Sequence, residues 1–240
     1  FVGGSKYKKM IFKSLEELFK EDILLQKKPS VTRSNLDDYL KENTSFAKYI
    51  DITDTLKIEN YYKTDTHWKQ ETLIDTANKL LSSMGNETDE TYTVNTFSED
   101  FFGVYTGQIP LKLTSDKLCY LTNDTLDSLK VYTLDSGKRE EMNLYDFEKA
   151  NGKDPYELYL SGSLSLIEIE NENAENDKEL VIFRDSFGSS LTPLLVQDYK
   201  TVTLVDIRYI QPEMLGKFLE FTDQDVLFMY SALVLNKRLI

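Results

Sequence analysis

An α/β fold with a mainly parallel sheet and a β-rich insertion is predicted by three features of this chain. In the last third, apolar runs at Leu180 to Phe183, Val202 to Val205 and Val226 to Met229 alternate with helical stretches beginning near Phe187 and Pro212. Strands apolar on both faces, separated by crossovers of helical length, belong to a parallel sheet covered by helices. Upstream, Leu73, Ile74, Ala77, Leu80, Leu81 and Met84 recur on one helix face, with Gly85 as its C-terminal stop. Between these regions, residues 90–163 change to short β-leaning runs, which reads as an insertion within a single domain spanning residues 1–240 and acting as a lid or substrate-facing wall.

Taken in order, Met10 to Gln26 reads as a helix, with Ser14 and Glu17 spaced as a capping box; a short strand from Tyr7 to Phe12 feeding that helix fits as well. Pro29 to Arg33 is a loop, and Asn35 caps a second helix containing Leu36, Tyr39, Leu40 and Phe46. Tyr49 to Ile52 is a short strand ending at Thr53, Asp54 and Thr55. The amphipathic helix described above follows His67 directly, with Asp65 or Thr66 as its cap. Within the insertion, Leu118 to Leu121 and Leu129 to Leu134 are strands, with a turn at Asp135-Ser136-Gly137. Leu164 to Ile169 adds a further strand.

Composition narrows the function classes. Of the 240 residues, 40% are hydrophobic, 29% charged and 12% aromatic, which is the profile of a packed globular chain and not of a disordered one. A net charge of -13 argues against a nucleic-acid partner, since phosphate-backbone binding rests on a basic footprint. Lys6, Lys8 and Lys9 are read as a solvated flank more readily than as a basic patch. A single cysteine, Cys119, excludes an internal disulfide framework and a cysteine-based metal cluster, and its apolar surroundings predict burial. The acidic stretch Glu168 to Glu179 has no EF-hand spacing and reads as a solvated loop, so neither a metal nor another cofactor is expected. No apolar run approaches the ~18 residues needed to span a bilayer. The chain starts at Phe1 without methionine, so an export signal or membrane anchor preceding it is expected.

One histidine is present, His67, within Thr64-Asp65-Thr66-His67-Trp68. Any imidazole proton transfer near neutral pH must use it. A serine hydroxyl needs such a base, and the base needs a carboxylate that fixes its tautomer. Asp65 is two residues away, and Ser186 ends the apolar run Val181 to Arg184 before a predicted helix. The backbone N–H groups of Ser186 and Gly188 are candidates to stabilise an oxyanion, each worth about 3–4 kcal/mol in well-studied hydrolases. Plainer roles fit the same residues. His67 beside Trp68 reads equally as a structural histidine, Asp65 and Ser186 as caps, Gly188 as a packing glycine and Asp206 with Arg208 as an ion pair. Trp68, Arg184 and Arg208 are kept as substrate-facing candidates.

The segments Tyr61-Tyr62-Lys63-Thr64-Asp65-Thr66-His67-Trp68, Arg184-Asp185-Ser186-Phe187-Gly188, Pro193-Leu194-Leu195 and Val205-Asp206-Ile207-Arg208-Tyr209 together resemble the DHHW family. That family belongs with the SGNH-hydrolase-like proteins related to the AlgX and AlgJ alginate O-acetyltransferases, in which the Asp-x-His motif precedes the serine block as it does here. The resemblance covers roughly residues 61–230. It implies a three-layer α/β/α SGNH-hydrolase-like fold and a Ser-His-Asp triad that moves an acyl group, usually acetyl, on or off a cell-surface polysaccharide. On that basis Ser186 is the expected nucleophile, His67 the base and Asp65 its partner. A carbohydrate acyl acceptor and a membrane-bound O-acyltransferase are the expected partners, in an extracellular or membrane-anchored setting. Two departures stand out: Thr66 replaces the first histidine of the family name, and Arg184 replaces the glycine that precedes Asp-Ser in ordinary SGNH enzymes. A non-catalytic carbohydrate-binding or cell-surface scaffold with the same fold is the competing expectation.

Overall fold

The computed structural model of the chain describes residues 45–86, 90–106 and 114–231, together with Val2–Gly3, Glu42 and Val234. The helices read between Met10 and Phe46, the alternative strand at Tyr7 to Phe12 and the Lys6–Lys9 flank lie essentially outside these residues.

A seven-stranded sheet organises the described residues. Its members are β1 (Val2–Gly3), β4 (Lys130–Thr133), β5 (Glu140–Met142), β6 (Leu166–Glu170), β7 (Glu179–Arg184), β8 (Thr201–Val205) and β9 (Asp225–Met229), in the order β1-β9-β7-β8-β6-β4-β5. Only β7 with β8 and β7 with β9 are parallel. The other four pairings are antiparallel, so the expectation of a mainly parallel sheet is corrected to a mixed one. Connection length explains the reversal. Residues 171–178 between β6 and β7 are too few for the roughly dozen-residue crossover that a parallel strand needs, so β6 runs opposite to β7 and to β8, which lies between them, whereas α4 (Phe187–Leu191) and the turn after it fill the crossover from β7 to β8.

The sheet buries both faces in its centre. Leu180, Ile182, Val202, Leu204 and Leu227 enter the larger cluster with Ala77, Leu80 and Leu81 of α1 (Ile74–Ser83) and Leu191 of α4. Val181, Phe183, Val205 and Val226 point the other way and pack with Leu215 of α5 (Pro212–Leu215) and with Phe221. This is the pleat read at period two, apolar on both sides.

Residues 90–163 divide between two structures. β2 (Thr93–Phe101) and β3 (Asp116–Thr122) form a separate antiparallel ladder with two register shifts, while β4 and β5 extend the main sheet. Short helices α2 (Asp124–Ser128) and α3 (Phe147–Ala150) lie in the same interval. Tyr49 to Ile52 forms no strand and leads into a 3-10 turn at Thr53–Thr55. Gly85 adopts φ 82° just past the end of α1, the left-handed stop predicted for it. No helix among the described residues is long and apolar enough to cross a membrane.

Candidate active site

The turn before α1 is built as a sling for Asp65 and His67. Asp116, at the start of β3, accepts hydrogen bonds through Oδ2 from the Lys63 amide at 2.9 Å, the Thr64 amide at 2.8 Å and the Thr64 hydroxyl at 2.8 Å. The Gly103 amide donates to Thr64 Oγ1 at 3.0 Å, and the Val104 amide donates to Asp65 Oδ2 at 2.9 Å. Gly103 has no room for a side chain: a Cβ there would lie 2.2 Å from the Asp65 Cβ. Asp65 Oδ1 accepts the His67 amide at 3.0 Å, so Asp65 closes a two-residue turn and does not cap a helix. The helix itself starts at Ile74, after a 3-10 turn at Gln70–Thr72, and this corrects the expectation that it opens directly at His67.

From that sling the imidazole reaches across 119 positions of sequence to Ser186. His67 Nδ1 lies 2.6 Å from Asp65 Oδ1, and Nε2 lies 2.8 Å from Ser186 Oγ. Burial acts to raise the Asp65 carboxyl, but the hydrogen bond and charge of His67 and the amides of Val104 and His67 outweigh it and hold the group below the usual carboxylate value. An ionised carboxylate only accepts, so Nδ1 carries the proton and Nε2 is left to accept from the serine hydroxyl. Ser186 is half-buried, while His67 and Asp65 are buried beneath it.

This depression has a pH consequence with a definite sign. The stability contributed by Asp65 is complete above its ordinary value of 3.8 and is lost as the pH falls below that through the lower folded value. In urea titrations between about pH 5 and pH 2, His67→Gln is therefore expected to show a shallower fall in stability than the wild type, because the largest favourable partner of the carboxylate is gone. Parallel falls in the two proteins would contradict this account of Asp65.

On the serine side, Ser186 follows β7 and enters α4. Asp185 ties the turn together, Oδ1 accepting the Phe187 amide at 3.0 Å and Oδ2 the Ser231 amide at 2.7 Å. The Gly188 amide donates to Asp185 O at 3.0 Å, so it is not available to an oxyanion, which corrects that expectation. Gly188 instead permits close packing, since a Cβ there would meet the Arg184 Cβ at 2.7 Å.

Two of the three substrate-facing candidates are held inside the protein. Trp68 is buried and donates from Nε1 to Phe187 O at 3.1 Å and Ser190 Oγ at 3.0 Å, stitching the two halves of the site together. Arg184 is buried too. Its guanidinium faces the Ser189 hydroxyl at 3.1 Å, the Leu164 carbonyl at 3.4 Å and, at 3.9 Å, Asp206. Both side chains are thereby buried and engaged within the protein, not offered to solvent as the substrate-facing expectation had it. Arg208 is half-buried and grips Asp206 through Nε at 2.9 Å and Nη2 at 2.6 Å, the ion-pair reading of these two residues. Cys119 is buried as predicted, and its carbonyl accepts the Tyr159 hydroxyl.

Several supporting residues carry no sequence signal at their own positions. Asp116, Gly103 and Val104 act on the histidine turn from the β2–β3 ladder and the loop at its end, and Tyr156 lies flat on His67 with ring centroids 3.8 Å apart. Shortly after Tyr156 the backbone is left-handed at Leu160, Ser161 and Gly162, with φ of 53°, 55° and 79°. Non-glycine residues in that region cost about 1–3 kcal/mol each, and here the surroundings compensate. Ser161 Oγ donates to Asp146 at 2.6 Å, and Ser161 O accepts from Lys149 Nζ at 2.8 Å.

No known family profile matches the chain, and no curated protein does either. Solved structures do match. A DHHW family protein from Eubacterium siraeum superposes with a TM-score of 0.72 at 18% identity, covering 98% of this chain and 87% of that one. In fold, this chain is similar to a DHHW family protein. PatB1 of Bacillus cereus is similar too, with TM-score 0.69 and 20% identity for the form with a sulfonyl adduct, and 0.66 and 19% for another structure of PatB1. Each of these two matches covers 98% of this chain and 90% of PatB1. The likeness extends over nearly the whole α/β chain, and at these identities it establishes the fold alone.

Proposed function

We propose that this chain is an SGNH-like serine acyltransferase or esterase that moves an acyl group, O-acetyl in the first instance, to or from a cell-surface polysaccharide. The observation that carries the reading is the unbroken chain Ser186 Oγ, His67 Nε2, His67 Nδ1 and Asp65 Oδ1, with contacts of 2.8 Å and 2.6 Å. Such a chain is the arrangement that activates a serine hydroxyl. The burial of both sheet faces, with α1 and α4 on one side and α5 on the other, supports a three-layer α/β/α SGNH-hydrolase-like arrangement. The likeness in fold to a DHHW family protein and to PatB1, which carries a sulfonyl adduct in one solved form, supports the family reading.

In the proposed reaction Ser186 Oγ attacks the acyl carbonyl carbon as its proton passes to His67 Nε2. The bond from carbonyl carbon to the leaving oxygen then breaks, and Nε2 returns the proton to that oxygen. His67 Nε2 next takes a proton from an acceptor hydroxyl as its oxygen attacks the carbonyl carbon of the acyl-serine; the bond from that carbon to Ser186 Oγ then breaks, and Nε2 returns the proton to Oγ. Asp65 stabilises the imidazolium at each stage, and the Ser186 amide is the remaining backbone donor of the pair expected for the oxyanion. A sugar hydroxyl as acceptor gives transfer, and water gives hydrolysis. In this reading a membrane-bound O-acyltransferase supplies the acyl group on the outer face of the cell.

Kinetics with an activated acetyl ester and an oligosaccharide acceptor test the proposal. Acetylated sugar is expected to appear at the expense of free acetate as acceptor rises. Acetate release indifferent to acceptor reduces the reading to an esterase. Saturable glycan binding with no acyl-enzyme formed overturns it in favour of a non-catalytic scaffold.

A further inference from the structure

We propose that Tyr156 is a positioning residue that fixes the plane of the His67 imidazole and faces the charge the ring takes up, an inference that rests on the serine chemistry proposed above. The phenol lies parallel to the imidazole, with centroids 3.8 Å apart and planes 7° apart. The terminal torsion of histidine is soft. A ring held only at Nδ1 and Nε2 can still rock about the line joining those atoms, and a flat ring against its face removes that freedom. Phe187 also packs against the imidazole, at 4.9 Å and tilted by 53°.

Tyr156 can set a plane because it is itself held. Its hydroxyl shares a 2.7 Å hydrogen bond with Ser190 Oγ, the same oxygen that accepts Trp68 Nε1 at 3.0 Å. Its ring meets Tyr159 and Tyr62 edge-on, at 5.0 Å and 6.4 Å. Burial pushes the phenol far above its ordinary pKa, so it stays neutral. With the hydroxyl engaged on Ser190, the ring is the part of Tyr156 that acts on His67. When the Ser186 O–H bond breaks and the Nε2–H bond forms, positive charge develops against a π face, which attracts cations. Tyr156 exchanges no atoms in the step.

Because His67 is the only histidine, its imidazole resonances in the isotope-labelled full chain need no assignment by mutation. Cross-relaxation between the carbon-bound imidazole protons and the Tyr156 ring protons is expected in the wild type, with one far-downfield proton on Nδ1 bonded to Asp65. Tyr156→Leu is expected to broaden or abolish that downfield signal and to lower kcat by about tenfold or more while KM changes by less than about twofold. Tyr156→Phe, which keeps the ring, is expected to retain the signal and to stay within about threefold of wild-type kcat. A folded wild type without the cross-peaks overturns the proposal, as does a leucine variant with unchanged signal and kcat. If the leucine variant does not fold, loss of the downfield signal in the phenylalanine variant overturns it instead. A wild type that turns over no acyl ester but whose downfield signal responds as described rejects the acyl chemistry and leaves the positioning role standing.

Discussion

Ser186→Ala is expected to lower kcat on an activated acetyl ester by on the order of 10^4-fold or more, leaving only the small residual catalysis that binding and oxyanion contacts supply without a nucleophile. The magnitude follows from the role proposed for the hydroxyl. With no oxygen to carry the acyl group, His67 and Asp65 have nothing to activate, and the residual oxyanion stabilisation cannot by itself form a covalent intermediate. The fold should hardly notice. Ser186 is half-buried and its side chain contributes one hydrogen bond to His67 Nε2, so Tm should move by no more than about 3 °C. A serine-directed sulfonyl fluoride followed by intact-mass measurement gives an independent reading. One adduct is expected on the wild type and none on the variant. Turnover or labelling that survives in a folded Ser186→Ala protein would remove the serine mechanism.

The largest expected loss of stability falls on Asp206→Ala. Asp206 is fully buried and holds Arg208 through two side-chain contacts of 2.9 Å and 2.6 Å, with the buried Arg184 guanidinium 3.9 Å away. Removing the carboxylate leaves the Arg184 charge in the interior without its nearest counter-charge. Breaking one side of a buried pair in this way costs about 3–5 kcal/mol, which for a chain of this size lowers Tm by about 10 °C or more. Arg208→Ala is the useful contrast, because it removes the more exposed cation and leaves Arg184 and Asp206 facing each other. Scanning calorimetry distinguishes the two cases. Equal, small shifts would mean that water or another group compensates Arg184 and that the buried pair is energetically idle.

How much of this was legible in the chain depends on whether the information was local. β7, β8 and β9 announce themselves, since Val181 and Phe183 feed one core while Leu180 and Ile182 feed the other, and only a doubly covered strand needs that pattern. β6 is visible as a strand but its direction is not, because alternation carries no polarity; the short 171–178 connection fixes it. The helix start is misjudged for an instructive reason. Asp65 does satisfy a nearby amide, but it is that of His67, in a turn that hangs from Asp116, and the helix waits until Ile74. Ser186, His67 and Asp65 could be nominated from chemistry and resemblance, and the structure brings all three within hydrogen-bonding distance. Arg184 and Trp68 could not be judged, since a buried arginine and an exposed one look alike until the sheet and α4 have closed over them. The stacking of Tyr156 on His67 lay equally beyond reach, being a product of tertiary packing alone.

The 119 positions between imidazole and hydroxyl have a consequence during biosynthesis. An unfinished polypeptide that has emerged only as far as β6 already contains the histidine turn, yet it holds no hydroxyl for that turn to sharpen. In the proposed chemistry the site is latent until β7, Ser186 and α4 have been made and folded against the histidine turn. It then gains reactivity in a single late event, with no nascent fragment able to attack esters along the way.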